Sequence, residues 1–386
     1  MKNSTSRKPR TIAKSNESGF TLIELMVSLL IFLIVTASIY GLLQAGRVDR
    51  NRTSGRADIL KNIRTSLNLI GRDALNSGLG YTNTGALVPD DFLNLRLGLP
   101  ADTNPERDNN LTGVIAGNNL FPNNLGGAGV QTDSISFIYS DRNANDGRPM
   151  ELLDAYQSPT NSNAVRLKMK SPLSTVATST SPLQYDLLLI ATKNPSNIAG
   201  IATQVATEDG VMIIDLEPGD PLGINQSLGS GDPNQVSVLR QCTAGITTGC
   251  TRPVPCIRNG VNSICTGVAS VKHIFWVNYR VTPQGTLIRS TYGNNTGQPA
   301  TSQIQDLPLT YNVRNMQVNY VLENGTVTDD PGTQSNNVRQ VTITLIVQSD
   351  EIDVQTRQPT LITLTSTFST RNIKYAEGLI TPTAGL

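Results

Sequence analysis

The sequence predicts an α+β protein in which a long amino-terminal helix, half membrane-spanning and half amphipathic, packs on a mainly antiparallel β-sheet head with long loops. Three observations predict it. Residues 25–46 carry no charge, and about 20 apolar residues at 1.5 Å each suffice to cross a bilayer. An apolar stripe at three- and four-residue steps follows directly. The remainder of the 386 residues breaks into short alternating runs rich in β-branched residues, separated by Asn, Gly, Ser, Thr and Pro.

The chain starts with Lys2, Arg7, Lys8, Arg10 and Lys14 against a single Glu17, then runs into GFTLIELMVSLLIFLIVTASIYGLLQAG. Basic residues before an apolar span stay in the cytoplasm. A single-pass helix with its amino end inside follows. A secretory signal peptide has a shorter apolar region ending in a small-x-small cleavage site, whereas this run continues unbroken. Glu24 is the anomaly. A carboxylate deep in a bilayer costs roughly 2–3 kcal/mol, so it either sits at the boundary, where the helix dipole favours an acid, or has a partner.

The run Gly19-Phe20-Thr21-Leu22-Ile23-Glu24-Leu25-Met26-Val27 resembles the type IV prepilin signature. The resemblance implies cleavage between Gly19 and Phe20 by a prepilin peptidase, N-methylation of Phe20, and pairing of Glu24 with the terminal amine of a neighbouring subunit. Such a pair turns a membrane liability into a lateral contact. It also implies other major and minor pilins and an inner-membrane assembly platform as partners. The expected location is the bacterial inner membrane, then an extracellular filament. Four segments result: a leader at 1–19 that is removed, a transmembrane and filament-core helix at 20–46, its amphipathic continuation at 47–80, and a β-rich head at 81–386. Major pilins often have a proline partway down the helix; this chain has Gly41 at about that place.

In the continuation, Ile59, Ile63, Leu67, Ile70 and Ala74 form one stripe, with Arg56, Lys61, Arg64, Arg72 and Asp73 assigned to the other face. No proline interrupts residues 20–76, and Gly78 and Gly80 supply a stop. Arg47, Arg50, Arg52 and Arg56 outnumber Asp49 and Asp58. They read as a solvated or inter-subunit face, with anionic lipid or DNA as the other reading. No interleaved aromatic residues support base stacking, so nucleic-acid binding stays open.

Within the head, residues 85–130 read as surface excursions dense in Asn, Gly and Pro. Strands are expected at SISFIYS from Ser134, with Ile135, Phe137 and Tyr139 on one face, and at YDLLLIAT from Tyr185, VMIIDL from Val211, VSVLR from Val236 and HIFWVNYRV from His273. Thr282-Pro283-Gln284-Gly285 joins YRV to GTLIRS as a hairpin, and the Asn324-Gly325 step suits a type I′ turn. The last strands are VRQVTITLIVQS from Val338 and LITLTSTFSTRNI from Leu361. RTSLNLIGRDALNSGLGY, DSISFIYS, the YRV to LIRS hairpin and TSTFSTRN are similar to the PilW-type minor pilins, and more distantly to the J-type pseudopilins of type II secretion.

Cys242, Cys250, Cys256 and Cys265 crowd into one Pro/Gly-rich stretch. They fit two disulfides in an oxidising compartment, and their gaps are wider than the C-x-x-C pairs of zinc sites. Of three connectivities, adjacent pairing is favoured. His273 is the one histidine, so a triad or multi-histidine metal site has little to build on, and a structural role at the start of a strand is expected. Gly126-Gly127-Ala128-Gly129 lacks the Lys-Ser/Thr of a phosphate cradle. Asp141, Asn143, Asn145 and Asp146, with Gly147 and Glu151, resemble the start of a calcium loop, but the glycine comes one place late and the glutamate one place early; a polar turn is the other reading. No cofactor and no enzymatic activity are expected. The sequence-level function is a minor pilin-like subunit contributing to pilus assembly or tip initiation, the alternatives being a J-type pseudopilin or an adhesive or DNA-binding tip module.

Overall fold

The computed structural model describes residues 19–82, 84–100, 109–127, 129–169, 182–192, 197–227, 241–243, 257–259, 262–264, 268–352 and 357–371. The chain divides into two compact units, Met1–Arg56 and Ala57–Leu386. Helix α1 (Leu22–Asn76) contributes to both. In the first unit every residue from Leu22 to Arg47 is exposed, and this part of the helix is long and apolar enough to cross a membrane.

The second unit continues through β1 (Ala86–Leu87), α2 (Phe92–Leu97), β2 (Asn110–Leu111), β3 (Val114–Pro122), β4 (Gln131–Ser140), β5 (Met150–Gln157), β6 (Val165–Met169), β7 (Leu187–Thr192), β8 (Asn197–Ile201), β9 (Gln204–Glu208) and β10 (Val211–Leu216). Three short strands follow, β11 (Gln241–Thr243), β12 (Ile257–Asn259) and β13 (Asn262–Ile264). Then come β14 (Val268–Val281), β15 (Leu287–Tyr292), β16 (Ile304–Thr310), β17 (Val313–Leu322), β18 (Val327–Thr328), β19 (Val338–Ile352) and β20 (Pro359–Ser369).

Among the described residues, thirteen strands form one branched sheet, β18-β17-β19-β20 form a second, and β11-β13-β12 form a small third. Strand β14 is the hub. Its first half pairs with β7 and β5, and from Ile274 onward it pairs with β4 and β15. All of these pairings are antiparallel; β1 runs parallel to β8. The carboxylate of Asp133 on β4 joins the two larger sheets, accepting the backbone N–H of Val318 on β17 at 2.7 Å and that of Asn119 on β3 at 2.8 Å.

Residues on the two faces of β4 and β14 lie in different cores. Ile135, Phe137, Val277 and Tyr279 face a core shared with the second sheet and with Ile63, Leu67, Ile70 and Ala74 of α1. Ile138, Ile274 and Trp276 face another, closed by Phe92, Leu93 and Leu97 of α2. A third core lies around Leu167, Leu188, Ile190 and Ile214. The α1 stripe is as the periodicity predicts, with Ile59 half-buried at its start, and each fully buried Ile or Leu contributes about 1.5–3 kcal/mol. The helix stops at Asn76, with Gly78 and Gly80 at φ 74° and 63°.

Three expectations need correction. The described residues of 85–130 are not surface excursions: they form β1–β3 and α2 and bury Phe92, Leu93, Leu97, Leu99, Leu111, Val114 and Ile115. Their apolar residues come in groups too short to show a period, although an element needs only one buried face. Asp73 is buried, not on the solvated face of α1. At Asn324-Gly325 only the glycine takes a positive φ, of 83°, and its N–H donates to Leu322 O at 2.9 Å; a type I′ turn needs both residues left-handed. The turn is closed by a left-handed glycine instead. The strand expected from Val236 lies outside the described residues.

Gly71 lets β20 approach α1. A Cβ there would lie 2.4 Å from Cε1 of Phe368. Gly71→Leu should therefore lower stability by about 1–3 kcal/mol through overpacking, despite leucine's better helix propensity. Chemical denaturation of the full chain in detergent measures the loss, and a smaller loss in a Phe368→Ala background identifies the ring as its source.

Candidate functional site

The start of α1 is a reciprocal cap. Thr21 precedes the helix, and its carbonyl accepts the first helical bond, from Leu25 N–H at 3.2 Å. Glu24 Oε2 accepts the Thr21 backbone N–H at 3.0 Å and the Thr21 hydroxyl at 2.8 Å. Thr21 Oγ1 stands 3.4 Å from the Glu24 N–H. This is the capping-box arrangement, which satisfies donors that a helix start otherwise leaves open. The T-x-x-E spacing of this cap is present in the sequence. Its other oxygen, Oε1, has no partner among the described residues. Phe20, just before the cap, is exposed.

Residues 14–40 match the prokaryotic N-terminal methylation motif.

The match spans Gly19, Phe20, Thr21 and Glu24 together with most of the exposed apolar run, and it supports a type IV pilin-like or pseudopilin-type protein. A prepilin motif on such a helix fits anchoring in the inner membrane before assembly, processing by a prepilin peptidase, and pilin partners. It points to a structural subunit. No curated protein and no solved structure significantly matches the chain.

Among the described residues of the second unit, two clusters of buried ionisable groups hold β14, apart from the buried Arg166–Asp215 pair between β6 and β10. The first centres on Asp73 of α1. Its Oδ2 accepts the Tyr279 hydroxyl at 2.6 Å and Arg289 Nε at 2.8 Å, and its Oδ1 accepts the Tyr139 hydroxyl at 3.3 Å. Helix, β4, β14 and β15 thus meet at one carboxylate. Burial, reinforced by the negative charge of Asp73, pushes Tyr139 up to about 12 and Tyr279 well above the usual phenol range, so both hydroxyls remain donors. The sequence carried a signal for this too: Asp73 falls three residues after Ile70, within the apolar stripe.

The second cluster surrounds His273, at the point where β14 changes partners. Nδ1 lies 2.8 Å from Asp141 Oδ2, and Nε2 lies 2.9 Å from Asn294 Oδ1 and 3.8 Å from Asp186 Oδ2. The Asn294 amide is oriented by Leu187 N–H, which donates to Oδ1 at 2.7 Å, and by its own Nδ2, which donates to Ile274 O at 2.9 Å. Both ring nitrogens therefore face acceptors, an arrangement suited to the imidazolium. Burial alone would lower the imidazole pKa; the hydrogen bond to Asp141, the charge of Asp186 and the bond to Asn294 outweigh it and raise it above 6.5. Asp141, despite burial, is held below its usual range by His273 and by Asn143 N–H. Burial raises Asp186. The structural role expected of His273 fits this placement.

Of the residues suggested for calcium, Asp141 faces His273 and the Asn143 N–H, and the Asn145 amide donates to the carbonyls of Arg148 and Pro149. The side chains of Asp146 and Glu151 lie outside the described residues. Among the described residues no group of three or more His, Cys, Asp or Glu is placed to hold a metal ion. Cys250, Cys256 and Cys265 lie outside the described residues, as does the Cys242 side chain, so no pairing is described.

A raised His273 pKa stabilises the fold fully below the unfolded value of 6.5, and this contribution is lost as pH rises through the folded value. The depressed Asp141 contributes above its unfolded value of 3.8 and loses that contribution as pH falls. The unfolding free energy of the wild type should accordingly decline as pH rises above 6.5, while that of His273→Gln stays flatter. Denaturant titrations across this window test it; parallel profiles would remove His273 as the cause.

Proposed function

We propose that this chain is a minor pilin-like subunit of a type IV pilus, cut between Gly19 and Phe20 and methylated on Phe20, with Glu24 as the carboxylate that joins it to its neighbours. One observation carries the reading: a prepilin methylation motif at residues 14–40 opens a helix whose apolar residues are exposed from Leu22 to Leu43. Exposed apolar surface on this scale requires lipid or other helices as its surroundings.

The geometry at Glu24 supports the assembly role. Thr21 occupies Oε2 and leaves Oε1 for a donor from outside the chain. An amine brought there would supply the opposite charge that a carboxylate at the edge of a bilayer lacks. The minor rather than major assignment rests on the large head and on its resemblance to the PilW type in the α1, β4, β14–β15 and β20 segments.

Glu24→Val should reduce the amount of this chain in sheared filaments by about tenfold or more, the consequence of leaving a charged partner unpaired in a dry contact. Glu24→Gln separates cap from charge, because glutamine still completes the capping box; the helix start should survive while incorporation falls. Mass spectrometry of sheared filaments measures the yield and reads the amino terminus, expected as methylated Phe20. Undiminished incorporation of Glu24→Val would sink the assembly role, and an intact leader on filament-borne chains would sink the processing assignment.

A further inference from the structure

We propose that Arg289 and Arg72 form a receptor for one carboxylate, supplied by an acidic side chain of a neighbouring polypeptide subunit. The inference rests on the filament reading above for the identity of the partner, and on the following geometry for the site.

The guanidinium of Arg289 is held from one side only. Its Nε donates to Asp73 Oδ2 at 2.8 Å and lies 3.2 Å from the Tyr279 hydroxyl, which fixes the plane of the group. Nη1 and Nη2 have no partner among the described residues, although the side chain is only 17% exposed. A guanidinium stays charged at all physiological pH and presents its donors as a rigid fork that suits a planar carboxylate. A fork anchored through Nε has already lost its rotamer freedom, so a ligand meets a site organised in advance.

Arg72 supplies the second cation. It neighbours Asp73 on α1, its side chain is 67% exposed, and its Nε stands 4.0 Å from Asp73 Oδ1, too far for a hydrogen bond. Two cations against one carboxylate leave a single positive charge. Arg280 and Asp306, on the opposite face of the sheet, neutralise each other at 3.4 Å. Tyr139 and Tyr279 remain neutral, as argued above. One surplus charge matches one carboxylate better than a phosphate dianion.

Leu307 indicates that the carboxylate arrives on a polypeptide. It pairs directly opposite Arg289 on the edge strand β16, so both side chains emerge on the same face, and it is 53% exposed. An aspartate or glutamate lying over Leu307 would bury its methylene stem there while its head group reaches Arg289. A free anion would use the arginines and leave the leucine wet.

A photo-crosslinking residue in place of Leu307, in the full-length chain produced in cells together with its assembly partners, tests the proposal. The expected adduct is a peptide of another subunit, crosslinked within a few residues of an Asp or Glu. Arg72→Glu should cut its yield about tenfold, a shift of about 1.4 kcal/mol, while Arg72→Lys largely retains it. Arg72 is exposed, so an unchanged melting temperature confirms that the fold is intact. An adduct insensitive to Arg72→Glu, adducts to lipid or nucleic acid alone, or no adduct in a chain present in sheared filaments overturns the receptor and leaves the filament reading standing. An Arg72-dependent adduct to an acidic segment of a protein absent from the filaments retains the receptor and overturns that reading.

Discussion

The carboxylate of Asp73 is the constraint around which the second unit is arranged. A buried charge is tolerated only when opposite charge and hydrogen bonds satisfy it, and here the requirement fixes four elements at once. Tyr139 must come from the end of β4, Tyr279 from near the end of β14 and Arg289 from β15. The apolar stripe of α1 could slide along a sheet of aliphatic side chains with little penalty. A carboxylate matched to three donors cannot, so the polar cluster sets the register that the oily contact leaves loose. Gly71, two residues earlier, completes the fit by admitting Phe368.

Strand β14 distributes that constraint through the sheet. It pairs with four other strands along its length and changes partners near His273. At this change the polar groups of several loops converge on one imidazole. The two clusters thus pin the same strand at different places, Tyr279 within it to the helix and His273 near its middle to the loops. Asp133 plays a similar part between the two larger sheets, since Val318 N–H and Asn119 N–H both end on it.

Most of the helix was legible in the sequence, because a long period-3.6 pattern without proline leaves few alternatives, and Gly78 and Gly80 marked its end. The strongly alternating strands β4, β14, β19 and β20 were legible for the same reason. Residues 85–130 were not. Their buried residues, such as Phe92, Leu93, Leu111 and Ile115, are held by partners distant in sequence, and no local period records that. Asp73 and Thr21 escaped for a different reason: Asp73 was read by polarity alone and Thr21 only as part of the signature, while the spacing, three residues after Ile70 in one case and three before Glu24 in the other, carried the information. The processing and assembly roles proposed for Gly19, Phe20 and Glu24 come from the resemblance of residues 19–27 to a known signature; physical patterning by itself reaches only as far as an odd carboxylate.

The cap at the start of α1 makes the helix independent of whatever precedes it. Its first turn is completed by Thr21 and Glu24, and among the described residues neither Gly19 nor Phe20 donates a hydrogen bond to that turn. Under the cleavage proposed above between Gly19 and Phe20, the first turn keeps these hydrogen bonds. Such processing would leave one helix start common to both forms, so that the two differ only in the group that precedes it.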